Sequence, residues 1–270
     1  MNTRQLADTG RAFDEVAADY DGPLGNNALV QAVRARTLAA ITRSVAPGST
    51  LLDLGCGTGL DAVALGRQGY RVTAIDWSAN MVRQTRERAL RAGNDGLVAV
   101  YQVGIHELGR LPAGTFDGAY SDLGALNCVP DLGSAATSIA SRLRPGGVLI
   151  ASVIGRVCPW ELAIFARKGE WRRAAARWSK EAVAVPLNGR TVWTRYYSPS
   201  EFRSTFAAAG FRLRSQRTLG LLVPPPYAVA FAERHSRLVP RLQVMEDRIA
   251  AWPGARAWGD HFLVVMEHRA

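Results

Sequence analysis

The stretch Leu51-Leu-Asp-Leu-Gly-Cys-Gly-Thr-Gly-Leu60 limits what this chain can fold into more than any other. Leu51, Leu52 and Leu54 read as the end of a buried parallel strand. Gly55, Gly57 and Gly59 read as a tight turn. Leu60–Leu65 opens a helix, with Asp61 in its first turn, where an acid meets the positive end of the helix dipole. A strand that passes through a glycine-rich turn into a helix is the nucleotide-binding corner of an open α/β sheet. The backbone there must turn sharply and approach a ligand without a Cβ in the way. The dinucleotide fingerprint is G-x-G-x-x-G. Here the glycines run G-x-G-x-G, and Leu60 stands where that pattern places its third glycine. A second strand, Arg71–Ile75, ends in Asp76. That acid lies about 20 residues past the first glycine, where a carboxylate can accept hydrogen bonds from both hydroxyls of a free ribose. The shorter glycine spacing, with no sign of a pyrophosphate clamp, argues against NAD.

Four segments in order carry a family resemblance: Asp53-Leu-Gly-Cys-Gly-Thr-Gly59, Asp76-Trp-Ser-Ala-Asn-Met81, Phe116-Asp-Gly-Ala-Tyr120 and Leu143-Arg-Pro-Gly-Gly-Val148. The chain resembles the class I S-adenosylmethionine-dependent methyltransferases that act on small molecules, over residues 10 to 155. The resemblance implies an α/β, Rossmann-like sheet of seven strands in the order 3-2-1-4-5-7-6, with the last strand antiparallel. Helices cover both faces, and a helical insertion follows the fifth strand. One methyltransferase domain is expected over residues 1–270, with 156–197 as a substrate-covering insertion within it.

The resemblance also implies S-adenosyl-L-methionine as cofactor and a set of residues around it. These are Tyr20, Asp53, Gly55, Cys56, Gly57, Gly59, Asp76, Trp77, Met81, Ile105, His106 and Leu123. Tyr20 is a candidate for the methionine part or a packing side chain. Trp77 is expected near the adenine, and Leu123 with Gly124 beside the sulfonium. One departure stands out. Relatives often place an Asp after the third strand to accept the adenine amino group, and here Ile105 takes that place, followed by His106-Glu107. Backbone groups or Glu107 could substitute. His106 touches cofactor or substrate, or is simply a loop histidine.

Element by element, the chain reads as helices over 10–22 and 27–45, the strand and glycine turn, and a helix from Ser78 to Ala92 with Ser78 as its N-cap. Strands follow at Leu97–Val103 and Asp117–Ser121, then a helix at Asp131–Leu143. Arg144-Pro-Gly-Gly147 reads as a turn before the buried strand Val148–Val153. Between 167 and 180, Trp171, Ala174, Ala175 and Trp178 fall on one helical face, with Arg172, Arg173, Arg177 and Lys180 on the others. That pattern fits a lid helix with a solvated basic face, or a contact with an anionic, lipid-like substrate or a membrane surface. Thr191–Tyr197 alternates like a strand, and Ser198-Pro-Ser-Glu201 opens a helix with a capping box. A strand at Arg212–Thr218, one or two helices over Ala228–Ala250 and a last strand at Asp260–His268 complete the reading. Asn127, Trp160, Arg195, Tyr196 and Tyr197 are the candidate substrate contacts; Asn127 either orients a substrate or caps the next helix.

Composition bounds the partners. The net charge of +10 fits acidic small substrates, an anionic membrane surface or nucleic acid, and arginine-rich coding accounts for part of it. No apolar run approaches the ~18 residues of a membrane span, and the first residues lack a signal-peptide core. The three cysteines, Cys56, Cys128 and Cys158, show no metal-ligand spacing, so no metal is expected and a reducing, cytoplasmic setting fits. A sulfonium is already electrophilic, so the protein need only bind it, exclude water and aim a nucleophile. His106, Asn127 and Tyr196 are the candidates for any further catalytic part. The function expected is methyl transfer to a small or lipid-like acceptor. A nucleic-acid methyltransferase is one alternative, against which stand the lack of a separate RNA-binding module and of an Asn-Pro-Pro-Tyr type motif after the fourth strand. A non-catalytic cofactor-binding partner protein is the other alternative.

Overall fold

The computed structural model describes residues 1–23 and 25–269. Its strands are β1 (Thr50–Leu54), β2 (Arg71–Asp76), β3 (Val98–Gln102), β4 (Phe116–Ser121), β5 (Leu143–Ile154), β6 (Val183–Leu187), β7 (Arg190–Thr194), β8 (Phe211–Leu219) and β9 (His261–His268). Its helices are α1 (Thr3–Val16), α2 (Ala28–Ser44), α3 (Leu60–Gly66), α4 (Ala79–Arg91), α5 (Leu132–Ala140), α6 (Pro159–Arg167), α7 (Trp171–Ala174), α8 (Pro199–Ala208), α9 (Val229–Arg234) and α10 (Leu238–Ile249). Seven strands form one sheet in the order β3-β2-β1-β4-β5-β9-β8. β9 runs antiparallel to both β5 and β8, and the other pairs are parallel. This is the Rossmann-like order expected from the sequence, with β9 and β8 as the last two strands.

The central strands are apolar almost without interruption because both of their faces are covered. Along β5, Val148 and Ile150 join Leu51, Ala74 and Tyr120 in one buried layer with α2, α3 and α4. Leu149, Ala151 and Val153 face the other way and join Leu52, Leu54, Phe202 and Phe206 in a second layer with α5 and α8. The parallel strands therefore end on one edge of the sheet, and β1, β2 and β4 deliver their following loops there together.

Several elements differ from the sequence reading. The first helix starts at Thr3 rather than residue 10, because Asn2 and Gln5 form a reciprocal capping box. Arg144–Gly147 does not form a separate turn but lies inside β5. Phe116 pairs with Leu143 and Gly118 with Val148, so the extra residues bulge. In place of one strand over 191–197 there is a β6–β7 hairpin, a separate two-stranded sheet. Asn188 and Gly189 turn it, both at positive φ (46° and 79°), and that pair is a strong hairpin signal. The helix expected over 167–180 is broken into α6, α7 and a 3₁₀ turn at Ala176–Trp178. Ala174 is buried and Arg172, Arg173 and Lys180 are exposed as expected, but the tryptophans and Arg177 are not where the pattern put them. Trp171 and Trp178 are exposed, whereas Arg177 is buried. Arg177 points inward because its guanidinium bonds Glu161 and Asp260.

Candidate active site

β1 ends in a turn that only glycine can make. Gly55, Gly57 and Gly59 all have positive φ, and a Cβ on Gly55 would lie 2.5 Å from Ala125 Cβ. The Gly55 and Cys56 amides donate to the Ile75 carbonyl, which fixes the turn to the end of β2. Asp76 closes it from the other side. Its Oδ2 accepts the Gly57 amide at 3.0 Å and its Oδ1 accepts the Ser78 amide at 2.9 Å. Burial pushes this carboxyl up to about 6, against the pull of those backbone donors.

The main cavity opens over this turn. Its described walls include Tyr20, Asp53, Gly55, Cys56, Gly57, Asp76, Trp77, Met81, Ile105, His106 and Leu123. Eleven of the twelve candidate cofactor contacts therefore share one space. Gly59 lies off it as the N-cap of α3, packed against Thr85. Leu123 is held at φ 52°, a strained value for a branched side chain, by a hydrogen bond from its amide to Ser152 Oγ. The His106 ring packs on Gly104 and edge-on to Trp77, with centroids 5.0 Å apart. That partial loss of water lowers its pKa. Glu107 turns outward to Arg110 at 3.0 Å and is not among the cavity residues. Ile105 offers no side-chain acceptor.

Two features were not legible in the motifs. The first is charge. Asp53, Asp61, Asp76 and Asp122 line the cavity, with Arg34 as the one Arg or Lys among the described lining residues. Arg34 pairs with Asp61 at 2.5 Å. Asp122 Oδ1 accepts from Thr37 and Ser152. Burial, then the neighbouring Asp122, pushes Asp61 up to about 6, and burial drives Asp53 well above the carboxylate range. Asp53 Oδ2, Asp122 Oδ2 and Arg34 Nε are buried without a hydrogen-bond partner. Groups in that state call for a polar ligand.

The second is the N-terminal wall. Leu6, Thr9, Gly10 and Phe13 of α1 line the cavity opposite the glycine turn. Gly10 lies flat on Trp77, where a Cβ would come within 3.2 Å of the indole. A glycine in a helix interior is the sequence sign of such close approach. Asp14 accepts from Ser78 Oγ and the Asn80 amide, and Asp21 accepts from Thr58 Oγ1 while pairing with Arg88. Val192 and Thr194 of β7 complete the wall, and the Trp193 amide donates to Thr9 Oγ1.

The candidate substrate contacts lie elsewhere. Asn127 is fully buried, and its side chain bonds Ile154 and Arg195 backbone groups, so it stitches β5 to the end of the hairpin. It neither faces the cavity nor caps α5, whose cap is Asp131. Tyr197 packs on Phe202 in the core, and Tyr196 lies under the Arg177 guanidinium. Arg195 pairs with Glu201, and Trp160 packs on Phe231. None of these lines the cavity. β7 ends at Thr194, after which Tyr197 bridges to Gly155 and packs on Phe202 of α8.

Residues 52–151 match the family described as a methyltransferase domain. The ubiquinone biosynthesis O-methyltransferase of Xanthomonas campestris pv. campestris (strain B100) is 35% identical over 139 residues, 51% of this chain and 56% of that one. Its Caulobacter vibrioides counterpart is 29% identical over 214 residues, 74% and 79% of the two chains. The matched segment is a methyltransferase domain, and the strand order around it is that of the class I S-adenosylmethionine-dependent methyltransferases. The chain spans little more than half the length of the Xanthomonas relatives. The methyltransferase fold is shared with Burkholderia thailandensis 1,6-didemethyltoxoflavin-N1-methyltransferase, solved with S-adenosylhomocysteine bound, at a TM-score of 0.60 and 18% identity over 98% of this chain and 88% of that one.

S-adenosylmethionine is the cofactor of this methyltransferase family, and the cavity's donors and acceptors suit it. The molecule carries two positive groups and one negative. Four acids and one guanidinium match that balance and disfavour phosphate-bearing nucleotides. The unpartnered oxygens of Asp53 and Asp122 suit an ammonium, and Arg34 suits a carboxylate.

Proposed function

We propose that this chain transfers a methyl group from S-adenosylmethionine to a small, lipid-like acceptor. One observation carries the reading: a single cavity joins an acid-rich half at the glycine turn to an apolar half. Leu6, Phe13, Val129, Ile154 and Val192 make up the second half. When bound, the cofactor supplies an electrophilic methyl group on its sulfonium. Asp76 would hold the ribose, the glycine turn would let the backbone approach it, and Arg34, Asp53 and Asp122 would take the zwitterionic end. Leu123 and Cys128 would keep water from the sulfur. Segment 156–197 would cover the acceptor through Val192 and Thr194. The similarity to ubiquinone biosynthesis O-methyltransferases supports an apolar acceptor and attack by oxygen.

Among the described residues, the one imidazole in the cavity lining is His106, which packs edge-on to Trp77, and Leu6, Phe13, Val129, Ile154 and Val192 bring no titratable group. Thr9 Oγ1 is engaged with Gln5 and Trp193, and burial pushes the Cys128 thiol up to about 12. The acceptor must therefore bring an acidic hydroxyl or an already anionic nucleophile. The expected pH–rate profile rises with ionisation of the acceptor and moves when acceptors of different acidity are used. A profile fixed across acceptors and abolished by His106→Gln would instead assign a base to the protein.

Cofactor affinity should also depend on pH. Asp76 is raised to about 6 in the free protein, whereas ribose binding favours its charged form. Affinity for S-adenosylhomocysteine is expected to be level above pH 6 and to fall below it, by about tenfold per pH unit for one proton released. Calorimetry in two buffers of different ionisation heat measures that proton; a flat affinity from pH 7 to 5 would remove Asp76 from the role. The acceptor class is tested with labelled cofactor against lipid extract and tRNA. Label in tRNA, with a steep salt dependence of binding, would favour the nucleic-acid alternative. Tight cofactor binding without transfer to any fraction would favour the non-catalytic one.

A further inference from the structure

The chain has seven tryptophans, and four of them, Trp171, Trp178, Trp252 and Trp258, stand 55–68% exposed. An indole is a large apolar body with one polar N–H, and leaving several in water is unusual for a surface with no partner. Their placement is connected. β5 ends at Ile154 beside His261, the first residue of β9, so the segments leaving β5 and entering β9 lie on the ligand-bearing edge of the sheet. The Gly259 amide donates to the Val157 carbonyl at 2.8 Å, which sets Trp258 beside the start of the insertion. Arg177 donates to Asp260 Oδ1 at 2.6 Å and to the carbonyls of Asp260 and Gly155 at 3.0 Å, which fixes neighbouring Trp178 to the same junction. Trp252 and Trp258 are carried by one compact double turn, in which the Ala255 and Arg256 amides donate to the Trp252 carbonyl.

The same insertion carries exposed Arg167, Lys168, Arg172, Arg173 and Lys180. Glu170 neutralises Arg173, Glu161 is taken by buried Arg177, and exposed Glu181 stands beside Lys180, so Arg167, Lys168 and Arg172 carry the unopposed charge. Exposed indoles and unneutralised cations therefore share one edge. A second copy of this chain would bring like charges together. A nucleic acid would need a groove, yet none of these indoles lines the active-edge cavity or two cavities beside α2. We propose that the edge formed by α6, α7 and the 252–258 turn docks on an anionic lipid bilayer, with Trp171, Trp178 and Trp258 entering the headgroup layer. Tryptophan favours that layer, and basic side chains favour anionic headgroups. The proposal is independent of which acceptor is methylated.

Flotation of the full chain with phosphatidylcholine vesicles, and with mixed phosphatidylcholine–phosphatidylglycerol vesicles, tests it. Binding is expected to the mixed vesicles only, with a blue shift of tryptophan emission. Lys168→Gln with Arg172→Gln should weaken binding roughly fivefold per cation removed. Trp178→Ala with Trp258→Ala should weaken it and reduce the emission shift, while S-adenosylhomocysteine affinity, measured in parallel, stays at the wild-type value and reports a sound fold. Equal partition to neutral vesicles would overturn the proposal, as would full retention of binding by both variants. Absence of vesicle binding by wild type would overturn it too, whether the tryptophan variant then abolishes a concentration-dependent dimer or RNA binding.

Discussion

Asp76→Ala is expected to weaken S-adenosylhomocysteine binding by at least 100-fold while shifting the melting temperature by only a few degrees. The carboxylate does two things at once. It is the acceptor at the tip of β2 proposed for the ribose, and it ties the Gly57 and Ser78 amides, at 3.0 and 2.9 Å, to a single point. Alanine removes both charge-assisted partners of the ligand, worth about 1.5–3 kcal/mol each. It also releases the glycine turn from the start of α4. Asp76→Asn keeps one acceptor oxygen and should lie between the two. Calorimetry on the three proteins, with circular dichroism as the fold control, makes the comparison. An alanine variant within threefold of wild type would place the ribose somewhere else in the cavity.

Arg177→Met is expected to destabilise the fold by about 3–5 kcal/mol, the range for breaking a buried ion pair from one side. For a chain of this size that is a fall of roughly 6–20 °C in melting temperature. The guanidinium is 7% exposed, donates to Glu161 at 2.6 and 2.8 Å and to Asp260 at 2.6 Å, and satisfies two backbone carbonyls. Burial alone would raise Asp260, but Arg177 and then His261 outweigh it and hold its carboxyl well below the usual range. A depressed carboxyl contributes stability above the unfolded pKa, about 4, that is lost as pH falls through the folded value. Wild type should therefore lose this contribution only in strong acid. In the methionine variant burial acts without its opponent and Asp260 moves upward, so the gap to wild type should narrow from pH 8 to 5. Arg177→Met with Asp260→Asn should recover part of the loss, because only Glu161 then remains as an acid without its cation. A single variant as stable as wild type would show that Glu161 and Asp260 are solvated in its absence.

The sheet and its ligand edge were legible because they depend on local text. Leu51 to Leu60 spells a strand, a turn and a helix, and Asp76 follows at the distance that one crossover requires. The β6–β7 hairpin was equally local, since Asn188-Gly189 flanked by alternating residues announces it, yet the longer alternation of Thr191–Tyr197 masked its true end. Other features depend on distant partners. Nothing near Arg177 in the sequence says that Asp260 will meet it, and without that partner the helical spacing of Trp171 and Trp178 points their indoles the wrong way. Arg34, Asp61 and Asp122 come from three separate elements, so the charge of the cavity appears only once α2, α3 and the end of β4 converge. The resemblance placed Tyr196 and Tyr197 at the mouth, at the end of a strand over Thr191–Tyr197, but the strand stops three residues sooner, at Thr194.

The wall made by α1 also has a consequence for the order in which the protein can be built. Thr9 meets Trp193, 184 residues later, and Asp14 and Asp21 meet α4 and the glycine turn. Part of the surface that receives α1 is thus missing until the β6–β7 hairpin has been synthesised, and closing so long a loop is slow. A nascent chain can assemble β1 to β5 with the glycine turn already shaped, but its pocket stays open on one side. Cofactor retention is then a property of a chain synthesised past β7, because α1 becomes a closed wall only when the hairpin arrives to meet it.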